Sequence, residues 1–253
     1  MLAIDINCDM GESTPLWNYT IENDLALLSY ISSLNIACGF HAGDPHTMHE
    51  LVAAALDAGV VIGAHPSFND RDNFGRSNMS LSPEKVYDLV VYQVGALQAF
   101  LHVHGASLHH VKPHGALYNM TAADNVMATA ICKAIAAIDA NIILYGLSGS
   151  ELIKAAEHAG LETASEVFAD RTYQDNGSLT PRSQPNALIT DESLAIAQVL
   201  QMVQQGTVNT ITGNTIPLTA ETICIHSDGL HALAFAQHIQ QALKQQGIEI
   251  KAF

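Results

Sequence analysis

The chain has 253 residues, 48% of them hydrophobic, 14% charged and 6% aromatic, and its ten Lys and Arg face 25 Asp and Glu for a formal charge of −15. An acidic surface of this kind excludes the phosphate-backbone contacts on which nucleic-acid binding rests, and the length fits one α/β domain, 1–253, better than two small ones. No apolar stretch reaches the roughly 18 to 20 residues that span a bilayer, and Asp5, Asp9 and Glu12 interrupt any secretory signal. The expectation is a cytoplasmic protein that engages neither membrane nor nucleic acid. Its four cysteines form no CxxC pair and read as buried free thiols.

Short β-branched runs alternate with helical periodicity along the chain. A strand over 3–8 opens it and a second covers 34–38. A helix follows with Asp44 as N-cap, Pro45 at its first position, Met48, Leu51, Val52 and Ala55 on one face, and Gly59 just past its end. After a strand over 60–64 comes a long connection, 66–81. Ser82 and Pro83 then open a helix whose Val86, Leu89, Val90, Val94, Leu97 and Leu101 form one stripe. A strand over 109–112 leads to a helix from about Thr121 through Ile131, Ile135 and Ile138. Strands over 142–145 and 162–168 precede a second long connection, 170–189. A helix from about Thr190 carries Ile196, Leu200 and Val203, and Gly213 and Asn214 mark a hairpin within 207–218 before the last strand, 222–225. Seven strands, separated largely by helical patterns, argue for a parallel sheet closed into a seven-stranded (β/α) barrel. Both long connections follow strands and so sit at the barrel mouth, where such folds build active sites.

Alternate residues of a strand share a face, so Asp5, Asn7 and Asp9 point one way and Leu2, Ile4, Ile6 and Cys8 the other. In a barrel the apolar face must lie under the helices, which turns the polar face inward. Other strand ends repeat the theme: His41, His65, Lys112 with His114, Asp170 with Arg171, and His226 with Asp228. Ionisable groups are costly to collect in one mouth unless they are paired or used. The helix opened by Asp44 adds free N–H groups suited to an anion. No phosphate-cradling GxxxxGK[ST] or GxGxxG, no GxSxG serine elbow and no CxxC occurs. What remains is Asp and His chemistry: a general base for water, or a divalent ion held by Asp9, His41, His65 and His114. His46 and His49 fall opposite the apolar stripe of their helix and read as solvent-side.

The stretches DINCDMGE (5–12), NIACGFHAGD (35–44), GAHPSF (63–68), FGR (74–76), VKPHGALYN (111–119), EVFADRTY (166–173), GSLTPR (177–182) and CIHSD (224–228) resemble the LamB/YcsF family, in order and over nearly the whole chain. Departures are few: Ser227 replaces the usual Gly, Gly229 and Leu230 follow where Pro is usual, and Ser77 stands where a second Arg is common. The resemblance implies a barrel akin to the glycoside hydrolase/deacetylase barrels. It also implies ATP-dependent hydrolytic ring opening of 5-oxo-L-proline to L-glutamate, as the A subunit of a 5-oxoprolinase working with 5-oxoprolinase subunits B and C. ATP would be a co-substrate handled largely by those partners, since this chain has no phosphate loop. On this reading Asp9 takes a proton from water, and Lys112 with the N–H groups of the Asp44 helix stabilises the oxyanion. His114 or His226, the latter paired with Asp228, protonates the leaving nitrogen, and Arg76 or Arg171 holds the substrate carboxylate; Asn7, His41, His65 and Asp170 complete the substrate wall. The alternative is a metal-dependent deacetylase or amidohydrolase of the same barrel type acting on an N-acyl sugar.

Overall fold

The structure is a computed structural model and describes residues 2–14, 20–226 and 232–253. In chain order the elements are β1 (Ala3–Met10), α1 (Ile21–Leu27), β2 (Ser33–Ala37), α2 (Pro45–Ala58), β3 (Val61–His65), α3 (Pro83–Val103), β4 (His110–Val111), α4 (Gly115–Thr121), α5 (Asn125–Ile138), β5 (Ile143–Leu147), α6 (Glu151–His158), β6 (Thr163–Phe168), α7 (Glu192–Gln205), the hairpin β7 (Thr207–Asn209) and β8 (Thr215–Pro217), β9 (Thr222–His226), α8 (Ala232–Gln245) and β10 (Glu249–Ile250). Among the described residues β1, β2, β3, β4, β5, β6 and β9 pair in parallel in that order, and β1 pairs with β9 to close the barrel. The strand β10 adds to the foot of β1, opposite Ala3 and Ile4.

The outward strand faces and the inward helix stripes make the core. Ile4, Ile6, Cys8 and Met10 of β1 are buried, as are Met48, Leu51, Val52 and Ala55 of α2 and Val86, Val90, Val94 and Leu97 of α3. Each large apolar side chain of this kind contributes about 1.5–3 kcal/mol by leaving water. At 21 residues α3 is long and apolar enough to cross a membrane, yet its apolar stripe is spent on this core. All four cysteines are buried and free.

Two helix boundaries follow the expected chemistry closely. The Asp44 carboxylate accepts from the N–H groups of His46 and Thr47, Pro45 occupies the first turn, and Gly59 ends α2 in the left-handed region. The expected start near Thr121 is displaced: 115–121 forms its own helix, α4, and the Thr121 hydroxyl donates back to the Leu117 and Tyr118 carbonyls. Asp124 is the cap of α5 instead, and Asp191 caps α7, one residue beyond Thr190. The helices α1, α4 and α6, of seven or eight residues, are too short to stand out in the sequence, and α8 adds a further 14-residue helix that buries Ala236, Ile239 and Leu243.

Register sets what meets at the mouth. Asp9 lies level with Asn35 of β2 and with His226 of β9, so groups from both ends of the chain share one rim. Gly63 in β3 is dictated by packing, because a Cβ there would lie 2.2 Å from Nε2 of His110. Both long connections are ordered. The Ser67 amide donates to Gln93 Oε1 and Gln93 Nε2 donates back to the Ser67 carbonyl. The second connection folds on itself through bridges of Arg171 with Leu188 and of Tyr173 with Leu179.

Candidate active site

The polar face of β1 does point into the barrel, and it forms a column graded by depth. Asp5 at the floor accepts from the hydroxyls of Ser32, Ser33 and Thr222 at 2.6, 2.7 and 2.6 Å. Asn7 above it donates to Glu166 and Thr222 and accepts from Asn35. Asp9 at the top takes Lys112 Nζ at 2.9 Å and Asn35 Nδ2 at 2.9 Å on Oδ1, while Oδ2 lies 3.3 Å from His65 Nε2. Lys112 is 2% exposed and its ammonium also meets Glu166 at 2.7 Å, Asn7 Oδ1 at 3.1 Å and Cys224 Sγ at 3.1 Å. Burial alone would strip its proton, but Asp9, Cys224 and Glu166 outweigh burial and hold the amine well above its ordinary value. Burial would likewise raise the Asp9 carboxyl; His65 and Lys112 overcome that and keep it well below the usual carboxylate range.

Beside this column stands a histidine cluster organised by Glu12, two residues past the end of β1. Glu12 Oε1 lies 3.0 Å from His41 Nε2, 3.1 Å from His114 Nδ1 and 3.8 Å from His65 Nε2. Burial opposes its ionisation, but His114 and His41 prevail and hold it below the usual range. His41 is stacked flat on His114, 3.7 Å between ring centroids, and burial together with the charge of His114 pulls it to about 3. The outer nitrogens of the other two rings are anchored on main chain: His65 Nδ1 on the Lys112 carbonyl at 2.7 Å and His114 Nε2 on the Phe74 carbonyl at 2.9 Å. Phe74 adopts the left-handed conformation with φ 56°, which brings its carbonyl to the ring, and Gly75 must follow because a Cβ there would lie 2.3 Å from Ser67 Oγ and 2.8 Å from His41.

On the opposite rim His226 Nδ1 meets Asp170 Oδ2 at 2.9 Å and Arg182 reaches His226 Nε2 at 3.5 Å. Burial would lower the His226 pKa, but Asp170 and then Asp9 outweigh it and raise it above the ordinary imidazole value. Between the two rims opens a cavity of about 630 Å³. Of the described residues, Arg76, Lys112, Arg171 and Arg182 line it against only two carboxylates, Asp9 and Glu12. The charge balance of the whole chain, ten cations to 25 acids, is thus inverted here.

The expected residues divide accordingly. Asp9, His65, Arg76, Lys112, His114, Arg171 and His226 line the cavity. Asn7 and His41 lie beneath its wall, fully buried, as supports for Lys112 and Glu12. Asp170 does not line the cavity and reaches it through its contact with His226. Asp44 does not join the site: its carboxylate occupies the N–H groups of its own helix and the hydroxyls of Thr47 and Ser13, so no donor remains there for an oxyanion. Arg171 reaches the wall with its Nε and Nη2 tied to the Ala187 and Thr180 carbonyls, and burial with the nearby Arg182 pulls it to about 10. Asp228 falls outside the described residues. Sequence reasoning missed Glu12, Asn35, Glu166 and Arg182. A glutamate inside the apolar strand run of β6 was a readable signal, since a buried carboxylate needs a partner.

Residues 4–253 match the LamB/YcsF family. Among curated proteins, the chain is 58% identical to the 5-oxoprolinase A subunit of Brevibacillus brevis, over 100% of this chain and 98% of that one. It is 54% identical to the protein of the same description from Bacillus subtilis, over 100% and 97%. Among solved structures, the lactam utilization protein of Thermus thermophilus superposes with a TM-score of 0.92 at 43% identity, covering 100% of both chains.

Proposed function

The chain belongs to the LamB/YcsF family, and from that premise we propose that it is the A subunit of a 5-oxoprolinase, opening the ring of 5-oxo-L-proline hydrolytically to L-glutamate. The observation that carries the reading is the inversion of charge in the cavity, where four cationic side chains and two carboxylates face each other in a chain of formal charge −15. A chamber of that polarity suits a small anion such as the substrate carboxylate, and an anion there would offset the burial and the Arg182 charge that weigh against the Arg171 cation.

The proposed chemistry follows from the partners of each group. Asp9, kept ionised by His65 and Lys112, takes a proton from water as the water oxygen attacks the lactam carbonyl carbon. Lys112 supplies the positive charge toward which the carbonyl oxygen turns. The carbon–nitrogen bond then breaks, and the leaving nitrogen receives its proton from His226 Nε2, which Asp170 keeps protonated and which is freed when Arg182, 3.5 Å away, turns to the substrate carboxylate. His114 does not suit that role, because its Nε2 is committed to the Phe74 carbonyl and its Nδ1 faces Glu12. Arg182 and Arg76 hold the substrate carboxylate. Because no phosphate-cradling loop occurs in this sequence, the coupling to ATP is assigned to partner subunits B and C, in the cytoplasm where ATP is supplied.

The test is release of glutamate from 5-oxoproline by the purified chain alone, with ATP, and with ATP and both partner subunits, each before and after chelation. Glutamate accompanied by ADP and phosphate should appear only in the complete mixture. Full turnover by the chain alone would remove the partner requirement. Deacetylation of an N-acetyl sugar without ATP, with no glutamate in any mixture, would replace the reading with the metal-dependent amidohydrolase.

A further inference from the structure

We propose that Glu12, His65 and His114 form a binding site for a divalent transition-metal ion of the zinc class in the wall of the same chamber. The first argument is the proton inventory of the two rings. A carbonyl oxygen only accepts, so the proton of His65 sits on Nδ1, facing the Lys112 carbonyl, and the proton of His114 sits on Nε2, facing the Phe74 carbonyl. In neutral rings the remaining nitrogens, His65 Nε2 and His114 Nδ1, present lone pairs toward each other at 2.9 Å. Facing nitrogens at that distance need a cation between or beside them, a proton or a metal ion, and Glu12 Oε1, 3.1 Å from His114 Nδ1, supplies the anionic third donor that a metal takes.

The spacing matches that requirement. Three donors each 2.0–2.1 Å from a tetrahedral ion stand about 3.3–3.4 Å from one another, and Glu12 Oε1, His65 Nε2 and His114 Nδ1 are separated by 2.9, 3.1 and 3.8 Å. The outer contacts have the pattern that orients metal ligands: each ring donates its other N–H to a main-chain carbonyl, and His41 Nε2 holds the glutamate oxygen at 3.0 Å. Asp9 Oδ2, 3.3 Å from His65 Nε2, stands next to the trio, and Asp9, Glu12, His65 and His114 all carry surface in the cavity. Two imidazoles and a carboxylate favour zinc or cobalt over magnesium or calcium, which prefer all-oxygen shells. The competing group of Asp9, Cys224 and His226 is disfavoured, since the Lys112 ammonium lies 3.1 Å from the Cys224 sulfur and would repel an ion there.

The site stands apart from the proposed reaction, because its readout is the metal itself. The full chain is stripped with a chelator, titrated with Zn²⁺ and separately with Co²⁺, desalted, and assayed for bound metal; the Co²⁺ form is also read by visible absorption. One equivalent per chain and a low-symmetry Co²⁺ spectrum are expected, with Zn²⁺ raising the melting temperature. Glu12→Gln and His114→Gln should each weaken binding by more than about 100-fold, beyond the 10–100-fold of a lost outer partner, while Cys224→Ser keeps its equivalent. Wild-type protein that takes up neither ion, leaving a proton shared between His65 and His114, overturns the site even if the variants fail to fold. Metal retained by both variants and lost in Cys224→Ser overturns it in favour of the other cluster.

Discussion

Asp5 and Asp9 stand on the same face of the same strand, both in contact with neighbouring strands, yet the barrel treats them oppositely. Asp5 sits at the floor, 1% exposed, with three short hydroxyl bonds on its oxygens. Asp9 sits at the mouth, its charge shared with Lys112 and approached by His65, and it borders the cavity. Identical side chains become a structural tie in one place and the proposed base in the other because neutral donors consume one carboxylate while cations facing a cavity hold the other ionised at its edge.

The contrast can be broken first at Lys112, which links the mouth to the column. Lys112→Met leaves Asp9 and Glu166 buried without their cation and should cost about 3–5 kcal/mol, read as a fall in the denaturation midpoint; a loss as small as that of an exposed pair would mean the mouth is wetter than its 2% exposure implies. Next in size, Asp9→Asn should lower turnover on the order of 100-fold or more with the fold intact. Asp5→Asn should instead cost about 1–3 kcal/mol of stability and leave turnover per folded molecule near normal. Equal kinetic losses in both would erase the distinction between floor and mouth.

The far rim offers a sharper variant of the same comparison through pH. His226 has a raised folded-state pKa, so its interaction with Asp170 contributes stability that is fully present below the unfolded value of about 6.5 and is lost as pH rises through the folded value. Turnover should share that alkaline limb if the protonated ring is the acid. Asp170→Asn should lower the rate by roughly 10-fold or more and move the limb to lower pH; an unmoved limb would assign it to another group. Smaller still, Arg182→Gln should raise KM by about 10-fold with little change in kcat, whereas Arg171→Gln should chiefly destabilise the connection it ties. Least of all, substrate and partners should slow hydrogen exchange around residues 181–186 but leave the bonded stem near Tyr173 and Thr180 unchanged, since that part is already closed by main-chain bonds. Uniform protection of the whole segment would instead describe a lid that moves as a unit.

The inward placement of Asp5, Asn7 and Asp9 was legible because a period of two is a local property and the apolar partners of β1 had to face the helices. The Asp44 cap was legible as well, but its consequence was not: that its oxygens consume the very N–H groups assigned to an anion is seen only when the helix is built. Glu12 escaped because it lies past the strand, where alternation no longer says which way a side chain turns. Arg182 escaped because its connection folds back on itself through contacts between residues far apart along the loop.

The residue pattern by itself determined the alternating elements and the strand face that carries polar groups, since these follow from interactions between residues two to four apart, and the number and order of those elements pointed to a closed parallel barrel. Tertiary structure alone decided which of the convergent groups touch. Asp9 bonds Asn35 and comes level with His226 through the register of strands from the two ends of the chain. Which nitrogen of His65 or His114 faces inward depends on single carbonyls of Lys112 and Phe74. Such contacts are set by register and by the direction of individual hydrogen bonds, neither of which periodicity encodes.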